Sequence, residues 1–229
     1  MIGKLLTLID AINGQNKPNL MVTVAENPEF DTAIQDDTPD EDLTFLHGFS
    51  GEIDRSSAEQ GEPVIWMPIL GEGKLFHIQK AYNYLAPSEM CPVLPFPSRN
   101  ARRPDELIIK YHSFLFDEIG IEKQNIMYVP EQNPFEAYRI LSTAIQNYYK
   151  SLKPIGECKT VLSTFSSKLL SIGTLLVAYE LKSKDIGVGV LNVDSLGYKI
   201  DPDIDLQKMR ADSKLFVIWL TGEPYEDHE

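Results

Sequence analysis

Long apolar runs are missing from this chain: no segment approaches the roughly 20 consecutive apolar residues that a membrane span requires. The N-terminus, Met1-Ile-Gly-Lys-Leu-Leu-Thr-Leu-Ile-Asp10, has neither an adequate apolar h-region nor a small-residue cleavage site. Both absences point to a cytoplasmic protein without a membrane partner. Cysteine is scarce as well. Cys91 and Cys158 each stand at the start of an apolar β-like run, which fits buried thiols better than a disulfide or a metal site. No metal and no particular cofactor is implied. Positive charge is the third shortage, since 21 Lys and Arg stand against 34 Asp and Glu, a net charge of −13. An acidic surface repels a phosphate backbone, which argues against non-specific nucleic-acid binding but leaves room for a local basic pocket that takes one small anion.

What the chain does have is apolar content for a core, 43% of 229 residues, enough for one large domain over 1–229. Leu5, Leu8, Ile9 and Ile12 repeat at helical spacing from Ile2 to Ile12, and Asn13-Gly14 follows as a stop. Leu20 to Ala25 is a short β-branched run between turn residues and reads as a buried strand. A helix feeding the first strand inverts the usual βα order. It implies a sheet edge completed by another chain or by upstream sequence, as in a fragment of a longer protein. Phe30 to Gly61 carries the acidic cluster Asp36 to Asp42 and little apolar periodicity, so it reads as a mobile lid or insertion.

Beyond it the pattern repeats. Strand candidates Val64–Leu70, Met90–Phe96, Asn125–Val129 and Thr160–Phe165 alternate with helix candidates Lys74–Leu85, Asp105 to about Ile119, Pro134–Leu152 and Leu169–Leu181. Gly187–Val193 and Leu215–Leu220 follow as further strands, joined through a short helical candidate at Ile204–Arg210. Continuous apolar strands alternating with amphipathic helices predict an α/β fold, three-layer and Rossmann-like, with a mostly parallel sheet and helices on both faces.

In such a sheet ligands bind outside the carboxyl ends of the strands, so the loops there are the place to look for a site. Gly71-Glu-Gly73 lacks the third glycine of a dinucleotide fingerprint, and no Walker sequence occurs. The loop Pro97 to Pro104 carries Arg99, Asn100, Arg102 and Arg103, whose guanidiniums suit a phosphate or a carboxylate, or else pair with acidic neighbours. Ser166 and Ser167 suit a helix N-cap, while Lys168 is unfavourably placed for the helix dipole and so marks an anion contact. Asn133 and Asn100 would read polar edges, and Asp194 or Glu131 would take a hydroxyl. No nucleophile with its base is legible. Ser163, Ser166 and Ser167 lack a neighbouring histidine, and His47, His77, His112 and His228 read as structural or solvated.

Thr164-Phe-Ser-Ser-Lys168 after an apolar strand, continued by Leu169 to Ala178, resembles the strand-loop-helix element of CARF-like Rossmann sensor domains. That resemblance implies Thr164 and Lys168 around a ligand phosphate, although Leu162 stands where the family usually has Asp or Asn. Pro97-Ser-Arg-Asn100 and Glu131-Gln-Asn-Pro134 look like elements of Rossmann-like proteins encoded among prokaryotic defence genes. Together these readings lead to a sensing or regulatory domain for a small phosphorylated or nucleotide-like ligand, with a protein partner or self-association. The alternatives are a nucleotide-processing hydrolase or transferase, or a non-catalytic subunit of a defence complex.

Overall fold

The structure is a computed structural model. It describes residues 2–10, 18–27, 34–36, 38–40, 42–51, 53, 62–156, 158–200 and 205–222. The elements run α1 (Ile2–Asp10), β1 (Leu20–Glu26), β2 (Ile34–Asp36), β3 (Thr44–Phe45), β4 (Val64–Ile69), α2 (Leu75–Leu85), β5 (Glu89–Met90) and β6 (Val93–Pro95). There follow α3 (Arg103–His112), β7 (Met127–Val129), α4 (Pro134–Leu152), β8 (Lys159–Thr164), α5 (Lys168–Lys182), β9 (Val188–Asn192), β10 (Tyr198–Ile200), α6 (Leu206–Asp212) and β11 (Lys214–Thr221).

Seven strands form the main sheet in the order β3-β9-β8-β4-β6-β7, with β5 also pairing β4. The strands β9, β8, β4, β6 and β7 pair in parallel, while β3 runs antiparallel at the edge. The sheet is thus mostly parallel but mixed. Its centre is β4, every residue of which is buried. Ile65, Met67 and Ile69 join Ala137, Leu141 and Ile145 of α4 and Leu170, Val177 and Ala178 of α5 in one core cluster. Val64, Trp66 and Leu70 join Ile78 and Ala81 of α2 and Leu107 and Tyr111 of α3 in another. Side chains alternate across a strand, so a strand apolar at every position needs packing on both faces. Placing that apolar surface out of water stabilises the fold by about 1.5–3 kcal/mol for each large side chain fully buried.

Local chemistry sets the helix starts. Asn133 caps α4, its side chain accepting from the Glu136 N–H at 3.1 Å, with Pro134 at the first helical position. Ser167 caps α5, accepting from the Leu170 N–H at 3.3 Å. The third predicted helix begins at Arg103 rather than Asp105, because Pro104 sits inside the first turn, and its C-terminal part (Ser113–Glu118) widens to π geometry.

Two expectations fail for one physical reason. Leu20–Ala25 and Leu215–Leu220 do not extend the parallel sheet; β1 and β11 pair with each other, antiparallel, from Leu20↔Thr221 to Glu26↔Lys214. This ribbon packs Val24, Ile218 and Leu220 on Leu169 and Ile172 of α5. The continuous apolar run of β11 looked like a doubly buried strand, yet Leu215 and Val217 are 73% and 63% exposed. Of the segment read as a lid, much lies outside the described residues. The described part pairs β2 with β10 and β3 with β9, and it buries Phe49 and Ile53 in the core. Within the described residues no helix is long and apolar enough to cross a membrane.

Candidate functional site

The order of the parallel strands by chain position is third, second, first, fourth, fifth, reading from β7 through β6, β4 and β8 to β9. The chain runs from β4 to β6 and β7 on one side and then crosses to β8 and β9 on the other, so the loops after β4 and β8 lie side by side at the carboxyl edge. Their backbones touch. A Cβ on Gly71 would fall 1.8 Å from the Phe165 carbonyl oxygen, so only glycine fits there.

Around that contact four loops bring together a buried ionic cluster. Arg103, at the start of α3, places Nε 2.6 Å from Glu72 Oε1 and Nη2 2.7 Å from Glu72 Oε2, a bidentate pair. Its Nη1 donates to Glu131 Oε1, and Nη2 reaches Ser166 Oγ at 3.3 Å. Glu131 Oε2 accepts from the Arg99 N–H at 3.2 Å, tying the loop after β7 to the loop after β6. Burial pushes the Glu72 carboxyl up, but the hydrogen bond and charge of Arg103 together hold it below its ordinary value. Burial likewise opposes the Arg103 charge, and the two glutamates outweigh it and raise its pKa. Beside the cluster the buried Tyr111 hydroxyl donates to the Gly71 carbonyl and accepts from the Lys74 N–H. Burial pushes that phenol up to about 12.

The predicted site residues divide accordingly. Arg103 and Ser166 join the cluster, where two carboxylates already offset the one guanidinium. Arg99, Asn100 and Arg102 are exposed on the same loop, and Asn100 accepts from the Arg102 N–H while donating to Glu106. Asn133 and Ser167 serve as helix caps. Asp194 is exposed and accepts from Asn192 at 2.8 Å. Lys168 points to a different place. With Thr164, Ser171 and Asn192 it lines a cavity of about 610 Å³ at the carboxyl ends of β8 and β9. Val22, Val24, Ile172, Leu175 and Val190 supply apolar wall, and β1 forms one side. Within it Ser171 Oγ donates to Thr164 Oγ1 at 3.0 Å.

Several contributors escaped the sequence reading. Glu72 was visible only as the middle of a weak glycine turn, and nothing in the residue pattern announces that it chelates Arg103. Glu26, 3% exposed at the end of β1, accepts from the Leu169 N–H at 2.8 Å and so occupies the first turn of α5 with a carboxylate. Its presence there depends on the ribbon, which no local pattern reveals. Cys91 and Cys158 are buried thiols, and burial raises both pKa values. Among the described residues no group of three or more His, Cys, Asp or Glu is placed to hold a metal ion.

Comparison of the chain with known family models, with curated proteins and with solved structures returns no match.

Proposed function

We propose that the chain is a Rossmann-like sensing or regulatory domain that binds a small phosphorylated or nucleotide-like ligand in the cavity beside Lys168. The cavity carries this reading. About 610 Å³ is of nucleotide size, and the lining divides into an apolar wall suited to a base and a polar side suited to a phosphate. Because Glu26 takes the Leu169 N–H, the anion's partners are the Lys168 ammonium, the Thr164 and Ser171 hydroxyls and the Asn192 amide rather than the helix dipole. The resemblance of Thr164 to Lys168 to CARF-like sensors supports the same placement and suggests a role in prokaryotic defence. β1 forms one side of the cavity, so a ligand there contacts the ribbon and has a route to a partner.

Mass spectrometry of small molecules released from the purified protein, followed by calorimetric titration with 5′-AMP and with a cyclic oligoadenylate, tests the proposal. A charge-assisted phosphate contact contributes about 1.5–3 kcal/mol, so Lys168→Glu weakens binding at least ten- to hundredfold. Absence of any released nucleotide together with silent titrations refutes it. A second reading, as a non-catalytic subunit of a larger complex, has its own observation. Met21, Leu215, Val217 and Trp219 form an exposed apolar face on the ribbon, with Met21 directly opposite Trp219.

A further inference from the structure

His77 and Ser195 are far apart in the chain yet meet at the carboxyl edge of the sheet. Ser195 lies just past the end of β9, and its Oγ is 2.8 Å from Nε2 of His77 in the first turn of α2. The imidazole is 3% exposed, whereas the serine is half-buried. The serine backbone is clamped. Pro39 forms an antiparallel bridge with Ser195, the Asp40 N–H donates to the Asp194 carbonyl at 2.8 Å, and the Leu196 N–H donates to the Thr38 carbonyl at 3.0 Å. Lys80 Nζ donates to the Asp40 carbonyl and ties this strap to α2. Lys74 and Lys80 stand one turn to either side of His77. Burial, then those two charges, push the imidazole down to about 4, so at neutral pH the ring is uncharged and able to accept a proton. α2 packs on the opposite face of the sheet from α5, which separates this pair from the cavity beside Lys168.

We propose that Ser195 is a nucleophile and His77 its general base, forming an acyl-transfer site for small carboxylic esters. A backbone-fixed hydroxyl within hydrogen-bond reach of a neutral imidazole is the nucleophile–base pair that nucleophilic catalysis needs. The Oγ–carbon bond forms as the hydroxyl proton passes to Nε2. The carbon–alkoxide bond then breaks, and the leaving alcohol takes that proton. Water repeats the sequence on the acyl-serine and releases the acid. An imidazole depressed this far is a weak base, so reactive esters are the appropriate substrates.

The test is covalent labelling of the native protein with diisopropyl fluorophosphate, followed by intact-mass and peptide mapping, with 4-nitrophenyl acetate hydrolysis alongside. In labelling, the Oγ–phosphorus bond forms as fluoride leaves. The expected result is one adduct, on Ser195, absent in Ser195→Ala and formed about 10²–10⁴-fold more slowly in His77→Gln. No adduct on the native protein, an adduct on another residue, or an unchanged rate in a folded His77→Gln overturns the proposal. Because the native protein itself is labelled, the result does not depend on either variant folding.

Discussion

Replacing Arg103 with Met tests how the carboxyl edge is held together. The side chain is 10% exposed and bridges Glu72 and Glu131, whose side chains are 28% and 2% exposed. Methionine keeps most of the packing volume but removes the guanidinium that neutralises two neighbouring carboxylates in low dielectric. Breaking a buried ion pair in this way costs about 3–5 kcal/mol. For a chain of this size that corresponds to a melting temperature lower by about 6–20 °C. Urea unfolding should show the midpoint falling with little change in slope, since the surface exposed on unfolding is the same. The triple variant Glu72→Gln, Arg103→Met, Glu131→Gln removes the stranded charges and should recover most of the loss. Acid supplies an internal control. Glu72 has its pKa lowered in the folded state, so its contribution is present above the unfolded value of 4.5 and is lost as pH falls through the folded value. A protonated Glu72 needs no counter-charge, and the penalty for Arg103→Met should therefore shrink as pH falls below about 4.5. A loss under about 1 kcal/mol at pH 7, or a triple variant no more stable than the single one, refutes the account.

His77 gives a second pH signature: the unfolded chain takes up its proton near pH 6.5 and the folded chain only near 4, so stability falls across that interval by up to about 3 kcal/mol. Acid titration of thermal stability should show this slope in the wild type and a flatter one in His77→Gln; parallel curves would contradict it. Gly71→Ala should cost more than about 3 kcal/mol or prevent folding, because the Phe165 carbonyl is backbone and must move with β8. A melting temperature within two degrees or so of wild type would mean that the two loops separate easily.

The alternation of apolar strands with amphipathic helices was legible from Val64 to Asn192 because each element carries its own period. Pro134–Leu152 is bounded in the structure as its asparagine, proline and apolar spacing predict. The caps at Asn133 and Ser167 are equally local, and so were readable. The ends of the chain were not. Period and β-propensity say that Leu20–Ala25 and Leu215–Leu220 are strands, but the choice of partner rests on contacts between residues at opposite ends of the sequence. The uninterrupted apolar run in β11 hid its one-sided burial. The candidate sites divide the same way. Residue type marked Lys168 and the arginine loop, whereas only the strand order brought Glu72, Arg103, Glu131 and Ser166 to one place and left Lys168 facing a cavity walled by β1. The His77–Ser195 contact exists because β9 ends and α2 begins at the same edge of one sheet. A chain pattern records which residues face a core; which loops then become neighbours is decided by the order in which strands pair, and that order is a property of the packed sheet.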